Sequence, residues 1–64
     1  MNSNTVNAFM NLKKSQKARV QSELGIYLSQ GVSETGTQYT KRVLRQIENE
    51  GKMRELEEAI ASIC

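Results

Sequence analysis

The chain has no histidine, no aspartate, no proline and no tryptophan, and only one cysteine and one phenylalanine. Each absence closes off some chemistry. Without histidine, acid–base catalysis near neutral pH would need a glutamate or lysine whose pKa is displaced in a buried pocket. Seven glutamates are present, but five of them fall in the strongly polar stretch 48–58. A chain of 64 residues does not easily enclose a substrate pocket of roughly several hundred Å3. With Cys64 as the sole thiol there is no Cys/His zinc site, and neither a calcium loop nor a G-x-x-x-x-G-K-[ST] phosphate loop occurs. These absences predict a protein that is not an enzyme and takes no metal, no cofactor and no small-molecule substrate. A single cysteine cannot form an internal disulfide, which fits a reducing, cytoplasmic compartment. Cys64 is expected to act as a small hydrophobe at a helix end, with an intermolecular disulfide or a reactive thiol as the alternative.

Long apolar runs are missing as well. None approaches the ~20 residues of a membrane span, and the first residues lack the basic start and apolar stretch of a secretory signal. Apolar residues make up 38% of the chain and aromatics 5%, so the core is small and a monomer of this length is marginal. Self-association, as a homodimer or other homo-oligomer, or a partner, is expected to complete the burial.

What the chain does have is a composition rich in Lys, Gln, Glu and Leu with few glycines, and this predicts an all-α fold. A single small helical domain over 1–64 is expected, with residues 1–4 frayed. Three main helices are predicted, over about 5–29, 35–50 and 52–63. At 100° per residue, Val6, Phe9 and Met10 share an arc with Val20, Leu24, Tyr27 and Leu28, yet Lys13 and Lys17 fall in the same arc. Two arrangements fit: a break near 11–15 with Ser15 as the cap of a second segment, or one continuous helix whose middle projects past the core. Gly31 is the expected C-terminal cap, followed by a short link over 31–34.

The second helix is announced by Thr35-x-x-Gln38, the spacing of a capping box. Tyr39, Thr40, Val43, Leu44 and Ile47 occupy one arc of it, and Lys41, Arg42 and Arg45 the opposite one. Gly51 then marks a stop. Were the helix to continue, Met53, Leu56, Ile60 and Ile63 would fall on the wrong side; a break lets both stripes face one core.

Charge is uneven. Residues 1–47 carry seven cations against Glu23 and Glu34, a balance of +5. Residues 48–64 carry Lys52 and Arg54 against five glutamates, a balance of −3. The densest cationic run is Lys13, Lys14, Lys17 and Arg19. It contains no aromatic to stack on a base, which disfavours single-strand binding.

The segment from Gly31-Val-Ser to Leu44-Arg-Gln-Ile47-Glu-Asn-Glu-Gly51 resembles the recognition-helix region of helix-turn-helix and winged-helix DNA-binding domains. The resemblance covers a third of the chain and lacks the wing. It implies that the front of this helix enters the major groove, with Gln38, Lys41, Arg42 and Arg45 as base or phosphate contacts. Lys13, Lys14, Lys17 and Arg19 would add phosphate neutralisation. The opening Met1 to Phe9 is also similar to the start of the influenza non-structural RNA-binding protein, and that similarity stops there. The leading expectation is therefore a small DNA-binding transcription regulator. The alternative is a protein-binding antagonist or adaptor that uses Met53, Leu56, Ile60 and Ile63 with Glu55, Glu57 and Glu58.

Overall fold

A computed structural model describes residues 3–63. The chain is all-α, with four helices in the order α1 (Ser3–Met10), α2 (Lys14–Leu24), α3 (Gly36–Asn49) and α4 (Met53–Ile63). Three main helices thus become four, because the first helical region is broken. A continuous helix would have driven Lys13 and Lys17 into the apolar arc. The chain turns at 11–13 instead, and Leu12 N–H closes back on Phe9 O (3.2 Å). The cap of α2 is not Ser15. Lys13 occupies the cap position, and its N–H donates to the Gln16 side-chain Oε1 (2.9 Å). Of the residues expected to fray, Ser3 and Asn4 lie in the first turn of α1; Met1 and Asn2, like Cys64, fall outside the described residues.

The C-terminal end of α2 also differs from expectation. The helix stops at Leu24, and Gly25, not Gly31, takes the left-handed conformation (φ 70°). The N–H groups of Gly25 and Ile26 return to Ser22 O and Gln21 O at 3.2 and 2.9 Å, closing the helix end. The reason lies in Ile26. On a continued helix it would point away from the Val20–Leu24 stripe, whereas the break turns it into the core, 2% exposed. Tyr27, placed by the period on the apolar arc, comes out 77% exposed. The link to α3 accordingly runs over 26–35 instead of four residues.

From Thr35 onward the pattern predicts the structure closely. Thr35 Oγ1 accepts from Gln38 N–H (3.2 Å), and Thr35 N–H donates to Gln38 Oε1 (3.0 Å). Thr40, Val43, Leu44 and Ile47 are buried and Tyr39 is half-buried. Gly51 (φ 68°) breaks the chain between α3 and α4. Across that break, Lys52 Nζ reaches Leu24 O (2.6 Å) and Glu50 (3.1 Å), placing a cation at the negative end of α2.

Phe9, Val20, Ile26, Val43, Ile47 and Leu56 are fully buried, each burial stabilising by roughly 1.5–3 kcal/mol. Both buried threonines have partners: Thr40 Oγ1 donates to Gly36 O (2.8 Å) and Thr5 Oγ1 to Glu57 Oε1 (3.2 Å). The core closes within one chain, so these residues need no second copy to be covered. α4 packs against all three other helices, whereas α2 and α3 scarcely meet. Among the described residues, no helix is long and apolar enough to cross a membrane.

Candidate functional site

Between α2 and α3 lies a groove of about 500 Å3. Its floor reaches Phe9, Thr40 and Val43, and Ala18 and Tyr39 form its walls. Lys14 and Lys17 stand on its rim with Gln21 and Gln30. Lys17 Nζ donates a long hydrogen bond to Thr40 Oγ1 (3.5 Å), and this neutral hydroxyl leaves the ammonium charge uncompensated.

Tyr39 governs how the groove ends. Its hydroxyl accepts from Gln21 Nε2 (3.1 Å) and donates to Leu28 O (2.5 Å), tying α2, α3 and the 26–35 connection at one point. Beyond this tie a shallower groove of about 320 Å3 runs past Ile26, Tyr27 and Leu28. Tyr39 therefore separates two depressions on one face of the molecule.

The 26–35 connection is held by a clasp. Arg42 Nε and Nη2 donate to the two carboxylate oxygens of Glu34, both at 2.9 Å, and Nη2 also reaches Ser29 O. Gly31 N–H donates to Glu34 Oε1 (2.9 Å), and Gln30 Nε2 to Glu34 O (2.8 Å). The Arg42 hydrogen bonds, followed by the Gly31 N–H, hold the Glu34 carboxyl below its ordinary pKa. The Arg42 guanidinium also lies 5.5 Å from the centre of the Tyr39 ring, within cation–π reach. The clasped loop carries Val32 at its tip, fully exposed.

The eight residues singled out for nucleic acid are not brought together on one surface. Arg42 is engaged by Glu34 and Ser29. The side-chain oxygen of Gln38 is occupied in capping α3. Arg19 pairs with Glu23 at 3.5 Å one turn along α2. Lys13 sits exposed at the start of α2. Lys41 and Arg45 are exposed on the side of α3 away from the groove, leaving Lys14 and Lys17 as the pair that share a concave surface. On α4, Leu56 and Ile60 are spent inside the core, while Met53 and Ile63 are half-buried at its edge. Glu55 and Glu58 are exposed and border a third depression beside Glu23, and Glu57 accepts from Thr5.

The groove itself was not legible at the sequence level. Its walls come from two helices separated by the 25–35 connection, and only the early stop at Gly25 sets them apart. The available signal was the pair Lys14 and Lys17 one turn apart beside the small Ala18.

Fold and site together define a small all-α interaction module, with a clasped loop, an open groove and a cationic rim. The chain belongs to the GTPase-associated adaptor domain family, whose sequence pattern matches residues 1–62. No curated protein and no solved structure matches it. Family membership overturns the helix-turn-helix and winged-helix reading, and with it DNA binding and transcription regulation. An amphipathic helix with a basic front is common enough to imitate a recognition helix. The supporting features are absent: no strand that could form a wing occurs among the described residues, and Arg42 and Gln38 are already engaged. The membership favours the alternative reading, an adaptor with a protein partner.

Proposed function

We propose that the chain is a non-enzymatic adaptor that docks onto a protein containing, or acting together with, a GTPase. The observation that carries this reading is the match of residues 1–62 to the adaptor-domain family. The chemistry agrees with it. With neither histidine nor aspartate, the chain is poorly equipped for turnover and well equipped for contact. The single cysteine supports a reducing, cytoplasmic setting.

The test is a calorimetric titration of the chain into a GTPase of its own organism, loaded with GDP or with a non-hydrolysable GTP analogue. Random duplex DNA at low salt serves as the control. Saturable binding to the GTPase in either nucleotide state supports the reading. Binding to DNA with no binding to the GTPase sinks it.

A further inference from the structure

We propose that the groove between α2 and α3 receives an acidic amphipathic helix supplied by the protein partner. This rests on the adaptor reading and adds the place and the chemistry of the contact. Three observations carry it.

The first is charge. Residues 1–47 contain two carboxylates, Glu23 and Glu34. Both are engaged elsewhere, Glu23 by Arg19 and Glu34 by Arg42. Lys14 and Lys17 on the groove rim consequently have no carboxylate partner among the described residues. Two uncompensated ammonium groups on one concavity attract acid and repel base.

The second is the form of the occupant. The walls are helices whose backbone groups beyond the first turns are paired internally, and no sheet edge exists among the described residues. An extended strand would find no row of main-chain partners. A helix satisfies its own backbone and needs only side-chain complementarity, with apolar residues on the Ala18, Tyr39 and Val43 side and glutamates toward the lysines.

The third concerns a second copy of this chain. Its acidic element is α4, whose outward side carries Arg54, Glu55, Glu58, Ala61 and Ser62. That side has the charge but no large apolar side chain, since Leu56 and Ile60 are committed to the core. A second copy docked through α4 would leave the floor of the groove unfilled.

The experiment uses amide NMR of the whole chain with three synthetic helices of about four turns. One carries leucines on one face and glutamates beside them, its twin has lysine for glutamate, and a third has serine for leucine. The Glu/Leu helix is expected to shift the amides of Lys14, Lys17, Ala18, Gln21, Gly36 and Tyr39, and the other two are not. Lys14→Glu with Lys17→Glu should weaken the Glu/Leu helix about tenfold and admit the Lys/Leu twin. Ala18→Trp is placed at an exposed wall position that leaves the core intact, and should block the groove. Three results would overturn the proposal: binding indifferent to charge, wild-type binding by Ala18→Trp, or concentration-dependent shifts of the same amides without peptide, which would mark a second copy as the occupant. If the groove variants bind no helix yet still bind the GTPase, the groove assignment fails and the adaptor reading stands; if the wild-type chain binds neither, both fail.

Discussion

Replacing Tyr39 with Phe removes one oxygen and leaves the ring in place. That oxygen makes two hydrogen bonds, from Gln21 Nε2 and to Leu28 O, which tie α2, α3 and the connection between them. A neutral hydrogen bond contributes about 0.5–1.5 kcal/mol net. Tyr39 is only half-buried, so water can reach the freed groups, and the two bonds together should be worth about 1–2 kcal/mol. A 64-residue chain is stable by roughly 3–10 kcal/mol, so the loss is a sizeable share. With a urea slope near 1 kcal/mol per molar, the midpoint should fall by about 1–2 M. Amide exchange adds a local readout: the N–H groups of Gly25 and Ile26, which close α2 beside the tie, should exchange faster, while those of Val43 and Leu44 follow global stability. A midpoint change within about 0.5 kcal/mol, the range of an ordinary surface substitution, with unchanged exchange at Ile26, would refute the role given to the hydroxyl.

Three further outcomes follow from the same structure. Phe9→Ala deletes a fully buried ring on α1 and should cost about 3–5 kcal/mol, enough to leave a large unfolded fraction by circular dichroism. Thr35→Ala removes the hydroxyl half of the α3 capping box and should cost about 1 kcal/mol, read as a lower thermal midpoint, with a further fall on also changing Gln38 to Ala, which removes the acceptor of the residue-35 backbone N–H. The Glu34 clasp gives a pH dependence. Its carboxyl is held below the ordinary value by Arg42, so its contribution is complete above the unfolded glutamate pKa of about 4.3 and is lost as pH falls through the lower folded value. Resonances of Gly31 and Val32 should therefore hold steady from neutrality to about pH 5 and move below it, and Glu34→Gln should abolish that step.

How much of this could be read from the sequence depended on whether the decisive contact was local. The start of α3 was legible because Thr35 and Gln38 lie three residues apart and close on each other. The break before α2 was legible because two lysines interrupted an apolar stripe. Its cap was not, because a glutamine amide took the place expected for a serine hydroxyl. The end of α2 was misplaced because two glycines could each serve, and the choice fell to Gly25 through the burial of Ile26, a tertiary effect. The basic front of α3 was visible as a pattern, but its meaning was not. Arg42 finds Glu34 across eight residues of loop and helix, and that pairing engages the guanidinium on which a DNA contact would depend. The groove needs two helices that meet only sparsely, at side chains such as Gln21 and Tyr39, which no local pattern encodes.

The central claim is that this adaptor meets its protein partner through the α2–α3 face. Amide NMR of the labelled chain during titration with an unlabelled GTPase of the same organism tests it most directly. The perturbed amides should cluster from Lys14 to Gln21 and from Gly36 to Val43. Perturbations confined to the outer side of α4, or to Lys41 and Arg45 on the far side of α3, would contradict it.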